Sequence, residues 1–396
     1  MIRSRRKMAS LSLDPRLSIH AVKNHQQHGA LVEEIEGLIR VYKDGHVERP
    51  PIIPDVSCST LPQLRVTATD VVIDRFTNLW MRVYVPQRSA KLPLLVYFHG
   101  GGFCVGSPAW SCYHDFMANL ASTAGCVIMS VNYRLAPENH LPAAYEDGFK
   151  TVMWVKEQAA NGSTEHSWWL NTSNLSRFFL AGDSAGANIA HNVAIRLGSS
   201  RASNSAILKP LCHRGSILIQ PFFGGEARTA SEGAPQSPRS ALTLSASDTY
   251  WRLSLPAGSN REHPWCNPLV DGTAKLITLP AMMVCVSDMD ILRDRNVEFC
   301  SAMVNAGKAV QMVAHKGVGH AFQILHNSPL SKARAHEMTV GGPGSWSSSK
   351  REAERMARTS TENKKKSRKQ LALETDIAIA SYTSKRLVFK EYPLSK

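Results

Sequence analysis

The stretch that decides the fold is RFFLAGDSAGANIAHNVAIRL, residues 177–197. It begins with a short apolar run typical of a buried strand, at 177–181, and ends with a helical pattern at 185–197. Between them, GDSAG at 182–186 matches the Gly-x-Ser-x-Gly sequence that places a nucleophilic serine on a sharp strand-to-helix turn. Small neighbours let such a strained turn close, so the hydroxyl of Ser184 projects above the sheet, near the positive end of a helix. The alternative is an ordinary glycine-rich connection.

Short apolar runs and longer helical runs alternate on both sides of this turn, from about residue 65 to 327. This pattern is typical of an α/β fold with a mostly parallel central sheet flanked by helices, because parallel strands covered on both faces are continuous apolar runs. Strands are predicted at 70–75, 80–85, 93–98, 126–131, 177–181, 215–220, 282–287 and 309–314. Helices are predicted at 112–124, 142–158, 185–197 and 292–306.

An additional amphipathic helix is predicted at 29–42, GALVEEIEGLIRVY. The apolar side chains on one face of that helix would be Leu31, Ile35, Leu38, Ile39 and Tyr42. Because the segment precedes the sheet, it would lie either as a cap over the functional site or as an ordinary packing helix. The sequence leaves both interpretations open.

Three consecutive glycines follow the third predicted strand, in the run HGGG at 99–102. Without side chains in the way, their backbone N–H groups can turn toward a developing alkoxide. We predict that the N–H groups of Gly101 and Gly102, together with that of Ala185, form an oxyanion hole. His99 is expected to orient this loop rather than to act as a base.

The acidic partner of such a serine is expected downstream, before the histidine. Asp290 lies where the strand predicted at 282–287 ends and a helix begins, so it is the predicted acid. Asp288 is the alternative. Asp294 fits the first turn of the helix, where negative charge is favourable.

The basic partner is expected after the last strand. His320 lies there in the glycine-flanked loop GVGHAF, 317–322, which leaves the imidazole free to reach the serine. The rival histidines are His315, at the end of the strand, and His326, in the helix beyond.

These residues predict acyl transfer from an ester. His320 takes the proton from Ser184 as the serine attacks, Asp290 fixes the imidazole tautomer, and water later resolves an acyl-enzyme. Such a mechanism requires no metal and no organic cofactor. Phe103 and Phe222 are the predicted neighbours of the substrate pocket, with plain core packing as the alternative for each.

The net charge of +14 is concentrated at the two ends of the 396-residue chain. Residues 1–10 carry +4 and residues 328–396 carry +8, which leaves +2 for 11–327. A nucleic-acid-binding domain usually carries its charge on a folded face, so a small-molecule ester is the expected partner and nucleic acid is not. No run reaches the roughly 18 apolar residues of a membrane span.

The eight cysteines form no Cys-x-x-Cys pair, which favours a reducing compartment. Cys126 and Cys285 lie in apolar runs and are expected to be small core side chains. The polar, lysine-rich composition of 339–396 cannot bury enough apolar surface to offset its ordering entropy, so this segment is predicted to be a basic, disordered tail.

With these residues in place, the chain resembles the plant carboxylesterases of the hormone-sensitive-lipase-like group, in the α/β-hydrolase superfamily. The resemblance runs from about residue 11 to 336. It rests on YFHGGGFCVGS at 97–107, NYRLAPENHLPAAYEDG at 132–148, LAGDSAGANIAHNVA at 180–194, SDMDILRDRN at 287–296 and KGVGHAF at 316–322.

This resemblance implies one α/β-hydrolase domain, here 66–338, with activity on short- to medium-chain esters and a cytoplasmic or nuclear location. It also implies an N-terminal segment, here 11–65, that helps to cover the pocket, which leaves 1–10 as a basic extension. The family's nucleophile, acid, base and two oxyanion glycines fall on Ser184, Asp290, His320, Gly101 and Gly102.

Two other functions occur on the same fold. Gibberellin receptors look like this chain but lack the histidine base; they hold a ligand under the N-terminal lid and then bind a partner protein. His320 argues against that function here. Hydroxyisoflavanone dehydration uses the oxyanion hole on a non-ester substrate; the sequence leaves it open, although an intact serine triad favours hydrolysis.

The two ends of the chain depart from the family pattern. At the N-terminus, MIRSRRK precedes Met8, where MASLSLDPRLS is a more natural start. At the C-terminus, the amphipathic helix that closes family members is predicted to begin at Pro329–Met338 and then to give way to the tail. We therefore expect a complete catalytic set in a fold of reduced stability.

Overall fold

The computed structural model describes residues 28–58, 60–201, 208–237, 240–273, 276, 278–326 and 328–340. All of these lie in one unit of the chain, Met1–Gly344. The predicted basic extension, the first part of the N-terminal segment and most of the predicted tail lie outside the described residues.

Twelve strands in the described residues form two sheets. They are β1 (Leu31–Ile35), β2 (Ile39–Tyr42), β3 (Val47–Glu48), β4 (Thr60–Leu61), β5 (Val66–Asp74), β6 (Leu79–Pro86), β7 (Leu92–Phe98), β8 (Val127–Asn132), β9 (Ser173–Asp183), β10 (His213–Ile219), β11 (Ala281–Ser287) and β12 (Val310–His315). The larger sheet has nine strands in the order β12-β11-β10-β9-β7-β8-β6-β5-β4, and β1-β2-β3 form the smaller one.

The larger sheet is mostly parallel, as predicted. All neighbours from β12 to β8 run parallel, whereas β6 pairs antiparallel with β8 and with β5. Every residue of β7, LPLLVYF, is buried. A strand that is apolar along its whole length needs cover on both faces, and flanking helices supply it. All eight predicted strands are confirmed, with ends that differ by a few residues.

Helices follow the strands along the chain. They are α1 (Ser111–Ala124), α2 (Ala143–Asn161), α3 (Ser167–Leu170), α4 (Ala185–Arg201), α5 (Ala230–Gly233), α6 (Leu244–Ser254), α7 (Arg293–Asn305), α8 (Phe322–Leu325) and α9 (Pro329–Val340). The four predicted helices correspond to α1, α2, α4 and α7. The closing helix α9 begins where the sequence predicted and packs against α1 and α8. Among these described helices, none has both the length and the apolar character that crossing a membrane requires.

The helix predicted at 29–42 is wrong, because this segment is the β1–β2 hairpin. Gly37 has φ +72°, and the N–H of Leu38 donates to the carbonyl of Ile35 at 2.9 Å, which closes a tight turn. Such a turn cannot continue a helix, and the β-branched side chains on both sides of it favour strands. The hairpin still buries Ile35 and Ile39 in the main core, whereas Leu31 is exposed. The predicted apolar face is therefore correct for burial only in part, and its helical period is wrong.

Arg49 links the segment that contains the hairpin to the loops that follow β7 and β8. Its guanidinium donates to the carbonyl oxygens of Cys104 at 2.6 Å and Ala136 at 2.9 Å, and makes two bonds to the Glu138 carboxylate at 2.7 and 2.6 Å. A planar group that donates in a fixed fork suits this arrangement of acceptors. One side chain therefore connects the N-terminal strands to the loop that follows the glycine run.

All eight cysteines lie in the described residues, and each has a free thiol. Cys126 and Cys285 are buried, as the sequence predicted, and burial raises the pKa of each to about 12. A thiol in such surroundings stays protonated and behaves as a small apolar side chain.

Candidate active site

Ser184 occupies the turn between β9 and α4, with φ +53°. This left-handed backbone conformation is costly for any residue with a Cβ, and the tight approach of the surrounding chain maintains it. A Cβ on Gly186 would lie 2.0 Å from the carbonyl oxygen of Phe98, and one on Gly182 would lie 2.3 Å from the backbone of Gly186. Both motif glycines are therefore required because the backbone segments touch.

The backbone of Ser184 is also tied to the segment that follows the next strand. Its N–H donates to the carbonyl of Ile219 at 2.8 Å, and its own carbonyl accepts from the N–H of Phe222 at 3.0 Å. These bonds fix the serine at the carboxyl end of β10 as well as of β9. The side chain is buried, with 6% of the residue exposed.

His320 lies between the serine and a carboxylate. Its Nε2 is 2.9 Å from Ser184 Oγ, and its Nδ1 is 2.7 Å from Asp290 Oδ2. With the proton on Nδ1, the ring donates to the carboxylate and accepts from the hydroxyl. Burial acts to lower the pKa of His320, but the charge and hydrogen bond of Asp290 outweigh it, so the pKa lies above the ordinary 6.5. This imidazole is placed to act as a base.

The structure separates the three candidate acids. Asp290 is 3% exposed and lies beside the imidazole, and its other oxygen accepts from the N–H of Leu292 at 3.1 Å. Asp288, the alternative, instead accepts from the N–H of Gly317 at 2.8 Å, at the start of the histidine loop. Asp294 lies in the first turn of α7, as predicted. The three carboxylates therefore have different places, and Asp290 is the one that contacts the imidazole.

The two rival histidines lie elsewhere. His315 ends β12 with its ring 5.0 Å from that of Phe322, and burial lowers its pKa to about 4. His326 is exposed at the end of α8. Within the described part of the chain, neither makes a hydrogen bond to Ser184. The predicted base, rather than either rival, is therefore the histidine that reaches the serine.

The glycine run adopts backbone conformations that residues with a side chain rarely adopt. Gly101 has φ +111° and Gly102 has φ +59°, and a Cβ on Gly101 would lie 2.0 Å from the carbonyl oxygen of Val105. Among the described residues, the N–H groups of Gly101, Gly102 and Ala185 donate to no hydrogen bond. N–H groups left free at a helix N-terminus and in an adjacent glycine turn can bind an anionic oxygen.

Asp183, the residue before the nucleophile, holds the start of this glycine run through its carboxylate. It accepts hydrogen bonds from Tyr97 Oη at 2.7 Å, Tyr113 Oη at 2.9 Å and the N–H of Gly100 at 3.0 Å. Complete burial raises the pKa of Asp183 to about 6, against the lowering effect of these donors. Sequence analysis missed this role. The available signal was a carboxylate at the end of an otherwise apolar strand, which needs buried partners.

His99 has the orienting position predicted for it. Its Nδ1 lies 2.7 Å from the carbonyl oxygen of Gly100, and its ring stacks on that of Tyr133 at 4.3 Å. Burial lowers the pKa of His99 to about 4, so the ring is neutral at pH 7. A neutral ring held between a carbonyl and a tyrosine fixes the loop and is poorly placed to take part in proton transfer at the serine.

The two phenylalanines predicted as pocket neighbours are both fully buried. The Phe222 ring stacks on Trp251 at 4.5 Å, and the Phe103 ring lies 5.5 Å from the same tryptophan. The backbone of Phe222 bonds to Ser184, as described above. Core packing therefore accounts for both rings, and their contact with substrate stays a prediction.

The described residues contain no group of three or more His, Cys, Asp or Glu side chains that could hold a metal ion. The site as described consists of a serine, an imidazole, a carboxylate and free backbone N–H groups. This combination supports nucleophilic attack on a carbonyl carbon and stabilisation of the resulting oxyanion.

The sequence pattern of a family described by its alpha/beta hydrolase fold matches residues 95–324, more than half of the chain. The chain therefore belongs to the α/β-hydrolase family. It is 50% identical over 321 residues to a protein named probable carboxylesterase 6 from Arabidopsis thaliana, which covers 80% of this chain and 91% of that protein. It is 36% identical over 312 residues to 2-hydroxyisoflavanone dehydratase from Glycyrrhiza echinata, with 74% and 90% covered.

Solved structures agree with this assignment. A hyperthermophilic esterase from the archaeon Pyrobaculum calidifontis superposes with a TM-score of 0.57 at 27% identity. The match covers 69% of this chain and 82% of the esterase.

Proposed function

We propose that this chain hydrolyses short- to medium-chain carboxylic esters, with Ser184 as nucleophile, His320 as base and Asp290 as the acid that orients it. The protein is a carboxylic ester hydrolase. The observation that carries the assignment of residues is the pair of distances at His320, 2.9 Å to the serine hydroxyl and 2.7 Å to the carboxylate.

The first half-reaction forms an acyl-enzyme. As the oxygen of Ser184 bonds to the ester carbonyl carbon, its proton moves to Nε2 of His320. Asp290 stabilises the resulting imidazolium through the Nδ1 hydrogen bond and stays ionised. The imidazolium then gives its proton to the alkoxy oxygen as the carbon–oxygen ester bond breaks, and the alcohol leaves.

The carbonyl oxygen becomes an oxyanion during this step. The N–H groups of Gly101, Gly102 and Ala185 are the proposed donors that stabilise it, and one such donor contributes about 3–4 kcal/mol to lowering the barrier. In the second half-reaction His320 takes a proton from water as the water attacks the acyl carbon. The carboxylic acid leaves, and the proton returns to Ser184.

Family membership alone does not identify ester hydrolysis as the reaction, because a dehydratase is among the relatives. Two features favour ester hydrolysis over reception of a ligand: Ser184 and His320 are both present, and they lie within hydrogen-bond distance. Eight free thiols support a cytoplasmic location for this activity, because disulfides are rare in reducing compartments.

The test compares turnover of a series of p-nitrophenyl esters by the wild-type chain and by Ser184→Ala. We expect activity to be highest for short and medium acyl chains and lost in the variant. Ser130→Ala is the control, because Ser130 is a buried serine whose hydroxyl has no partner among the described residues. Equal rates in wild type and Ser184→Ala would remove the esterase proposal.

A second measurement identifies the nucleophile directly. A fluorophosphonate probe should modify the peptide that contains Ser184 in the wild type and in Ser130→Ala. A modified peptide from another part of the chain would show that the nucleophile is assigned incorrectly.

A further inference from the structure

Gln220 is a buried side chain whose amide bonds to the residues that flank the base. It follows β10, and Ile219, just before it, and Phe222, two residues after it, are hydrogen-bonded to the backbone of Ser184. Its own backbone has φ +47°, in the left-handed region, and the residue is 1% exposed. A long polar side chain in such a place needs hydrogen-bond partners, because an unpaired buried amide is costly.

The amide of Gln220 finds those partners on both sides of the catalytic histidine. Its Nε2 donates to the carbonyl oxygen of Gly319 at 2.9 Å, and its Oε1 accepts from the N–H of Ala321 at 2.8 Å. These are the residues immediately before and after His320. The same Nε2 also donates to Ser287 Oγ at 2.5 Å, at the end of β11.

A carboxamide makes both of these contacts without any change of protonation. One peptide group presents an acceptor and the other presents a donor, so the side chain must donate and accept at once. Turning the amide over would place two acceptors together at Gly319 and two donors together at Ala321. The bonding pattern therefore fixes the orientation of the amide, and with it the separation of the two peptide groups that carry the imidazole.

Other contacts hold the beginning of the same loop. Asp288 accepts from the N–H of Gly317, and the N–H of Met289 donates to the carbonyl of Val318 at 3.2 Å. These bonds lie before the histidine. The side-chain hydrogen bonds that span His320 itself are those of Gln220.

We propose that Gln220 is a positioning residue for the base. It sets the backbone on both sides of His320, so that the imidazole reaches Ser184 and Asp290 at once. The inference rests on the proposed function. The position of the imidazole then depends on a side chain about 100 residues before His320. That side chain belongs to the segment whose backbone also bonds to Ser184.

The first test is Gln220→Met, which keeps the length of the side chain and removes all three hydrogen bonds of the amide. A displacement of about 1 Å in a reacting group costs up to about 100-fold in rate, so we expect kcat to fall by about 10- to 100-fold. KM should stay unchanged, because the amide of Gln220 bonds to Ser287, Gly319 and Ala321 and to none of the proposed oxyanion donors. A wild-type kcat in folded Gln220→Met would overturn the proposal.

The matched control is Gln323→Met. Gln323 is also fully buried, three residues after His320, but neither of its amide atoms has a partner among the described residues. Removing that amide should leave kcat at the wild-type value. An equal loss of kcat in both variants would show that any buried amide in this region has the same effect, which contradicts a specific role for Gln220.

Gln220→Glu provides an independent test if the methionine variant does not fold. An ionised carboxylate still accepts from Ala321 but cannot donate to Gly319, whereas a protonated one can do both. The ratio of variant to wild-type kcat should therefore rise as pH falls through the pKa of the introduced carboxyl. A ratio of one at every pH would contradict the proposal.

A readout without substrate separates this inference from the proposed function. The Nδ1 proton shared by His320 and Asp290 is expected to give a far-downfield proton resonance in the wild type and in Gln323→Met. It should be broadened or lost in Gln220→Met. A sharp, unchanged resonance in Gln220→Met would refute the positioning role, whereas absence of esterase activity in a wild-type chain that shows the resonance would refute only the proposed function.

Discussion

Ser184 and His320 meet at one site but are held there by different means. The serine turn is held by steric contact between backbone segments, since a Cβ on Gly186 would lie 2.0 Å from the carbonyl oxygen of Phe98. The histidine loop is held by side chains from other strands, with Asp288 at its start and Gln220 across the histidine itself. A position where steric contact requires glycine leaves a short sequence motif, whereas hydrogen bonds from distant residues leave none.

This contrast predicts how the two regions respond to substitution. Changes at the serine turn should act on folding as well as on activity, because no other backbone arrangement fits there. Changes at the histidine loop should act mainly on catalysis, because the loop can relax without disturbing the sheet. Four substitutions or measurements sharpen this difference.

The largest expected effect is that of Asp290→Asn on the histidine loop. An amide in place of the carboxylate favours the wrong imidazole tautomer, and loss of such an acid lowers kcat by about 10⁴-fold. The control is Asp288→Asn, which keeps an oxygen to accept from the N–H of Gly317 and should retain most of the activity. Steady-state hydrolysis of a short-chain ester measures both, and equal losses would show that the two aspartates are assigned incorrectly.

The next largest effect is expected for Gly186→Ala at the serine turn. The added methyl group would overlap the backbone of β7, so we expect a loss of about 3 kcal/mol or more in the free energy of unfolding. Gly233→Ala, where a Cβ meets nothing within 4 Å, is the control and should unfold like the wild type. Denaturant unfolding measures the free energy of unfolding of the two variants and of the wild type. If Gly186→Ala matched the control, steric contact would not explain the motif.

A smaller effect is expected at Asp183, below the serine turn. Burial raises its pKa from 3.8 to about 6, so the native state binds the proton more tightly than the unfolded state. The stability that this carboxyl contributes is fully present below pH 3.8 and is lost as pH rises through about 6, a change on the order of 3 kcal/mol. Relative to Asp183→Asn, the wild type should lose stability over this pH range. A pH-independent difference in unfolding free energy would contradict this.

The smallest effect concerns the pH dependence of the base. Because the pKa of His320 lies above 6.5, the acidic limb of kcat/KM should lie above pH 6.5, with activity lost as the imidazole becomes protonated. The charge of Asp183 contributes to raising that pKa, so Asp183→Asn should shift the limb to lower pH by a fraction of a unit. A limb that shifts upward in this variant would show that the two groups are not coupled in this way.

The difference between the serine turn and the histidine loop also shows which parts of the fold and site the sequence could predict. The central strand β7 is apolar along its whole length, so its existence as a covered strand follows from burial. Ser184, Asp290 and His320 were selected from local context and from their order along the chain, and the structure brings these three together. These predictions worked because each depended on a few neighbouring residues.

The failures have the opposite origin. In the segment 29–42, apolar side chains at 31, 35, 38, 39 and 42 fit a helix as well as a hairpin, and the turn at Gly37 decided the outcome. Gln220 is a single glutamine after a strand, with no pattern that marks it. Its role depends on partners at 287, 319 and 321, which only the folded arrangement of the strands places beside it.

The attachment of the N-terminal strands has a consequence for engineering. Of the acceptors that Arg49 uses, those of Cys104 and Ala136 are main-chain carbonyls, which every amino-acid sequence provides, and only Glu138 contributes a side chain. A segment from a relative with an arginine at the equivalent place would therefore find the same two main-chain acceptors for its guanidinium. Swapping residues 28–58 between relatives therefore requires a match at the core that buries Ile35 and Ile39 and at the Glu33–Arg252 pair, rather than at Arg49.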